Sequence, residues 1–236
     1  MNIALIGFGK MGQAIKAIAQ ERGHSISIAI DKNNNSDFDS EVFFNSDVAI
    51  EFSQPDSAVK NYKHCFAHNI PVVSGTTGWL DNFDEIVELC KAQNQSFFYA
   101  SNFSLGVNVF FEINKKLASL ISRVGNYNVS MEEIHHTQKL DKPSGTAITL
   151  AEQIISELST KNKWSLNTEE DALNITAKRI ADTPGTHIVK YESEIDEITI
   201  EHKAKNRKGF ALGAVLAAEF IQNKKGVYGM QDLLKL

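Results

Sequence analysis

Gly7-Phe-Gly-Lys-Met-Gly12 constrains the fold more than any other stretch of the chain. It follows a short, uninterrupted apolar segment, residues 2–6, of the kind that forms a strand buried on both faces. It runs into residues 13–22, where Ile15, Ile18 and Ala19 fall on one side of a helix, with Gly23 placed to end it. A second strand is expected over 25–30, and Asp31 closes it nineteen residues after Gly12. A bare G-x-G-x-x-G says little. Between a strand and a helix, with an acid ending the next strand, it points to a dinucleotide site. Gly7 permits a tight turn, Gly9 lets backbone approach a pyrophosphate, and Gly12 lets the helix pack on the strand. The amides at the helix start then hold the phosphates. Asp31 suits the ribose hydroxyls of NAD, and Lys32 beside it suits the 2′-phosphate of NADP, so either NADH or NADPH is expected.

The alternation continues. Strands are predicted over 48–52, 71–74 and 96–100, with helices from 57 to about 69 and over 81–93. Residues 33–40, rich in Asn, Asp and Ser, read as a surface loop. Strand and helix in turn predict a Rossmann-like, doubly wound parallel sheet. Ligands gather at the carboxyl ends of such strands. Three ends carry small or polar loops: 7–12, 75–78 and 101–104. The candidate cofactor-binding residues are therefore Gly7, Phe8, Gly9, Lys10, Met11, Gly12, Asp31, Lys32, Gly75, Thr76, Thr77, Ala100, Ser101, Asn102 and Phe103.

After a helix over 105–120 the pattern changes. Strand-like segments at 127–134, 175–181, 185–192 and 196–203 follow with only one helix, 147–158, among them. They predict a smaller α+β domain on an open mixed sheet, with 159–172 polar and exposed. A helix over 210–222 and a closing turn with a short helix from 226 are expected to dock back on the first domain. The expected division is 1–103, completed by about 211–236, for the dinucleotide and 104–210 for substrate and oligomerisation.

Between the two patterns lies Glu133-Ile-His-His-Thr-Gln-Lys-Leu-Asp-Lys-Pro-Ser-Gly-Thr-Ala147. Two adjacent histidines, two lysines and two acids precede a Pro-Ser-Gly-Thr turn at the start of a helix. A loop this dense in titratable groups is where chemistry is sought. A hydride acceptor gathers electron density, so a histidine that titrates near neutrality suits the proton donor. Cations and a helix start suit an anionic substrate. Asp141 is expected to pair with a lysine and orient the loop. A metal centre is not expected, because adjacent residues on an extended segment point to opposite faces. His24, His64, His68 and His187 are expected to be surface or structural, and His202 is left open.

The net charge of −5 argues against a nucleic-acid binder. No apolar run reaches a membrane span. Cys65 and Cys90 stand apart from any C-x-x-C pair and read as reduced thiols. With no basic, apolar leader at the N-terminus, a cytoplasmic protein is expected.

The long motif at 133–147, Gly-Thr-Thr-Gly at 75–78, Ser-Asn-Phe-Ser-Leu-Gly-Val-Asn at 101–108 and Arg-Lys-Gly-Phe-Ala-Leu-Gly-Ala at 207–214 together resemble the 4-hydroxy-tetrahydrodipicolinate reductase (dihydrodipicolinate reductase) family of bacterial lysine and diaminopimelate biosynthesis. The resemblance covers the whole chain. It implies reduction of a cyclic dicarboxylate by NADH or NADPH with loss of water. His135 would be the general acid/base, and Lys139 would donate a proton or hold developing charge. His136 would bind substrate, and Ser144, Gly145 and Thr146 would grip a carboxylate. A homotetramer built through the open sheet is also implied. Lys10 stands where the family often has arginine, and Thr137-Gln138 where it often has basic residues. A reductase or dehydrogenase of another imino or amino acid, or a non-catalytic dinucleotide sensor, is the alternative.

Overall fold

The computed structural model describes residues 1–236, in two compact units: Met1–Leu105 with Lys208–Leu236, and Gly106–Arg207.

In the first unit, β1 (Asn2–Ile6), β2 (Ser25–Ile30), β3 (Val48–Glu51), β4 (Val72–Ser74), β5 (Ser96–Tyr99) and the late strand β11 (Gly226–Tyr228) form one parallel sheet. Their order is β11-β5-β4-β3-β1-β2. Ile3 and Leu5 face one core while Ala4 and Ile6 face the other; Val73 and Val72, and Phe98 and Phe97, divide in the same way. Apolar residues at both phases of a period-two pattern are what a sheet covered on both faces requires. Helices α1 (Lys10–Glu21) and α7 (Lys208–Ile221) supply the first core with Ile15, Ile18, Ala214 and Val215. The second core draws on α2 (Glu41–Phe44), α3 (Pro55–Ala67) and α4 (Phe83–Ala92). It holds Phe43, Tyr62, Phe66 and Ile86, and both free cysteines are buried there.

Two features of this unit differ from the sequence expectation. The polar stretch after β2 is not a plain loop: it turns through Asn35–Asp39 and then forms α2, capped by Ser40 Oγ on the Phe43 amide at 3.2 Å. One buried ring in a single helical turn leaves no period to read. The segment at 226 is a strand, paired with β5 and anchored by the Gly226 amide on the Gln95 carbonyl at 2.8 Å. Its three residues carry no alternation, and only the tertiary partner makes them a strand.

Gly213 shows how closely α7 is packed. A Cβ there would sit 1.8 Å from the Phe103 carbonyl oxygen. Alanine gains about 1 kcal/mol over glycine in a helix interior. Overpacking costs about 1–3 kcal/mol, and backbone, unlike a side chain, cannot turn away. Gly213→Ala is therefore expected to destabilise the protein by about 1 kcal/mol net, read as a lower urea midpoint with unchanged slope. A midpoint at or above wild type would show that the helix shifts freely.

In the second unit, α5 (Leu105–Val124) and α6 (Gly145–Glu157) cover one face of a mixed sheet. Its strands are β6 (Asn128–His135), β7 (Lys163–Ser165), β8 (Ala172–Arg179), β9 (Thr186–Glu192) and β10 (Glu197–Lys203), in the order β10-β9-β6-β8-β7. The polar stretch at 159–172 thus contains an edge strand, β7, parallel to β8. Central β6 runs parallel to β8 and antiparallel to β9. Val129, Met131, Glu133 and His135 are its buried residues, all of one phase. The opposite phase carries Glu132, which pairs with Lys178; Lys190 pairs with Glu197 at 2.5 Å. No helix of the structure is long and apolar enough to cross a membrane.

Candidate active site

The sheet of the first unit reverses its strand order between β1 and β3, and a groove of about 480 Å³ opens there. Ligands in open α/β sheets bind at such a switch point. Gly7 forms the turn at φ +93°, its amide on the Ile30 carbonyl at 2.8 Å. A Cβ on Gly12 would meet the Gly7 carbonyl oxygen at 2.3 Å, so the helix start lies against the turn. Gly9 caps α1 with extended backbone and no side-chain partner for the helix amides. Nothing lies within 4 Å of where its Cβ would be. An uncapped helix N-terminus reached through glycine is a built anion site.

Gly7, Phe8, Gly9, Asp31 and Lys32 all line this groove. One oxygen of Asp31 accepts the Asn33 amide at 2.7 Å. Phe52, Ser53, Gln54, Ser57 and Asn61, from the end of β3 into α3, form another wall. Sequence reading missed these five; the only signal for them was their position after a strand. Lys10, Met11 and Gly12 form the first turn of α1 and do not line the groove. Gly75, Thr76 and Thr77 follow β4, and Ala100, Ser101, Asn102 and Phe103 follow β5. Thr76 reaches the groove wall indirectly, accepting the Ser53 amide at 2.8 Å. Phe103 is a core residue against Phe52 and Phe98, with ring centroids at 5.5 and 5.8 Å.

The second unit gathers a cluster around the end of β6. Residues two apart on a strand share a face, so Glu133 stands beside His135, and one carboxylate oxygen takes His135 Nδ1. The other oxygen takes Arg179 Nη1 at 2.8 Å. Arg179 ends β8 in register with His135. Its Nε and Nη2 also donate to the carbonyls of Lys139 and Asp141, at 3.2 and 2.6 Å. One guanidinium therefore ties the carboxylate to the loop. Burial pushes the Glu133 carboxyl up, but the hydrogen bonds from His135 and Arg179 outweigh it and hold the acid below its usual range.

His187 faces Glu133 from β9, and its ring lies edge-on to His135 at 5.1 Å. Its Nε2 meets Ser144 Oγ at 3.1 Å. Ser144 caps α6 through the Ala147 amide at 3.2 Å, and Gly145 and Thr146 are the first two residues of that helix. Gly185 also borders the His135 imidazole, where a Cβ would lie 3.0 Å from Nε2. Lys139 pairs with Asp141 at 2.7 Å, as the loop composition suggested. His136 lies past the end of β6, with a buried Nδ1 that has no partner. No group of His, Cys, Asp and Glu is arranged to hold a metal.

Two family models match the chain: dihydrodipicolinate reductase, N-terminus, over residues 1–103, and dihydrodipicolinate reductase, C-terminus, over residues 106–234. The chain belongs to the dihydrodipicolinate reductase family. Among its relatives, the 4-hydroxy-tetrahydrodipicolinate reductase of Christiangramia forsetii is 54% identical over 99% of this chain and 98% of its own. The protein of the same name from Thermosipho africanus is 36% identical over 100% of this chain and 98% of its own. The solved structure of dipicolinate-bound dihydrodipicolinate reductase from Paenisporosarcina sp. TG-14 has the same fold. It superposes with a TM-score of 0.80 at 22% identity, covering 98% of both chains. A probable dehydrogenase from Thermotoga maritima shares the architecture more loosely, at a TM-score of 0.60.

In this family member, Glu133, Arg179, His187 and Gly185 complete what the sequence offered only in part. The i, i+2 spacing of Glu133 and His135 was a usable signal. Arg179 gave none, because its place depends on the parallel β6–β8 register. His187 is 4% exposed and sits inside the cluster, away from the surface.

Burial, and next the neighbouring His135, push the His187 imidazole down to about 3. An unfolded chain binds that proton near pH 6.5, where the folded protein does not. Stability is therefore complete above pH 6.5 and declines as pH falls toward 3. His202, lowered chiefly by burial, contributes with the same sign. The share of His187 is about 1.4 kcal/mol per pH unit. His187→Gln is expected to flatten the limb between pH 6.5 and 5 by one proton in urea titrations, and an unchanged slope would contradict the assignment.

Proposed function

We propose that this protein reduces 4-hydroxy-tetrahydrodipicolinate to tetrahydrodipicolinate, with NADH or NADPH as reductant and loss of water. The observation that carries the reading is His135, held through Nδ1 by an ionised, Arg179-anchored Glu133, beside the N-terminus of α6. The dinucleotide supplies a hydride when bound in the glycine groove. Asp31 takes ribose hydroxyls, and Lys32 pairs with a 2′-phosphate where one is present. Glu133 fixes the Nδ1–H tautomer, which assigns proton transfer to Nε2. The absence of a side chain at Gly185 leaves space on that side of the ring.

The substrate is a dianion, and the remaining residues answer that charge. Gly145 and Thr146 present the start of α6 to one carboxylate, and Ser144 holds that turn through its cap. Lys139 offsets the negative charge that builds on the ring as hydride arrives, and His136 contacts the substrate. Residues 1–103 with about 211–236 serve the cofactor; residues 104–210 serve substrate and assembly. Assembly as a homotetramer through the open second sheet, in the cytoplasm, belongs to the same proposal.

The test is consumption of NADH or NADPH when the substrate is generated in place by dihydrodipicolinate synthase. Oxidation that depends on the synthase supports the reading. Oxidation with another imino acid alone would move the protein to a different reductase, and none at all would remove catalysis by this site.

A further inference from the structure

Glu51 ends β3 with no exposed surface and no cation beside it. Four hydroxyls surround its carboxylate: Ser53 Oγ in close contact, Ser74 Oγ at 2.9 Å, Thr76 Oγ1 at 3.0 Å and Tyr62 OH at 3.3 Å. A buried charge without a counterion is costly, and a ring of donors is what makes it tolerable. A carboxylate only accepts, so Ser53, Ser74 and Thr76 turn their protons inward, and Tyr62 OH, 2.6 Å from Ser74 Oγ, donates to that oxygen. That leaves the oxygen lone pairs facing out. Thr76 Oγ1 uses one to accept the Ser53 amide at 2.8 Å, and Ser53 Oγ accepts Asn61 Nδ2 at 3.2 Å. The loop after β3 is thereby tied to the loop after β4. Ser53 and Asn61 line the dinucleotide groove.

We propose that Glu51 is a positioning residue for the cofactor: its carboxylate sets the polarity of a hydroxyl ring that ties the loop after β3, one wall of the groove, to the loop after β4. The proposal rests on the groove holding NADH or NADPH. Glutamine has the same shape but presents two protons, so at least one hydroxyl must reverse or lose its partner. Aspartate keeps the acceptor-only group on a shorter arm. The effect belongs to binding and is read without turnover. Trp79, one of two tryptophans, donates Nε1 to the Thr76 carbonyl at 2.8 Å, so a change in emission includes a report on the second loop.

The experiment is a titration of the full chain with NADH and with NADPH, followed by tryptophan emission and by cofactor fluorescence. Glu51→Gln is expected to raise both dissociation constants about tenfold, the worth of one charge-assisted hydrogen bond. Glu51→Asp is expected to recover most of that loss. Ser74→Ala removes one donor from a buried strand and is expected to raise both constants about threefold; it carries the test if Glu51→Gln does not fold. Wild-type affinity in a folded Glu51→Gln or Ser74→Ala protein would overturn the proposal. So would a fall in thermal midpoint with unchanged affinity, or an Asp variant no better than Gln. Failure of the wild type itself to bind either cofactor would instead overturn the functional reading beneath it.

Discussion

Replacing His135 by Gln is expected to lower kcat about 10³-fold, within the range of positioned acid–base catalysis. The dissociation constant of the cofactor should stay close to wild type. Glutamine approximates the reach of imidazole and can still donate to Glu133, so the local fold survives, but an amide does not supply a proton near neutrality. Cofactor affinity is unaffected because the glycine groove is built by β1, β2 and β3 and their loops, none of which contains His135. Steady-state kinetics with NADH titration separates the two effects. A variant with normal kcat, or one whose loss is all in cofactor binding, would take the proton from His135 and give it to another group.

Gly7→Ala is expected to produce the largest loss of stability, about 4 kcal/mol. A φ of +93° costs an L-residue about 1–2 kcal/mol. The new Cβ would also stand 2.0 Å from the Phe52 carbonyl oxygen, and forcing two backbones apart adds about 1–3 kcal/mol. Against a total of about 5–15 kcal/mol this is a large fraction. The displaced Phe52–Ser53 segment is the groove wall, so cofactor affinity should fall with stability. The urea midpoint and an NADH titration report both. A midpoint within experimental error of wild type would mean that the turn relaxes. Gly9 is the internal contrast, since its Cβ position is open and only a ligand would contest it.

Legibility in the sequence followed the range of each interaction. The strand–glycine loop–helix unit and the acid at the end of β2 are local, and the structure places Gly7, Phe8, Gly9, Asp31 and Lys32 on one groove. The change from alternating strand and helix to successive strands marked the mixed second sheet. The residues that escaped depend on register. Arg179 is one charged residue among many until β8 lies parallel to β6, and His187 reads as an ordinary strand residue until β9 sets it opposite Glu133. Strands β7 and β11, three residues each, exist because a neighbouring edge was open to them. Glu51 falls inside the strand predicted over 48–52, with nothing local to single it out. Its meaning came from hydroxyls contributed by β4, α3 and the loops around them.

In the proposed reaction hydride enters from a dinucleotide while His135, set by Glu133 and Arg179, supplies the proton. A single-turnover reaction tests it most directly. Enzyme loaded with cofactor deuterated at the transferring position is mixed with synthase-generated substrate, and the product is followed by mass spectrometry. Wild type is expected to give tetrahydrodipicolinate carrying one deuterium, and His135→Gln the same labelled product about 10³-fold more slowly. Product without deuterium, or equal rates from the two proteins, would contradict it.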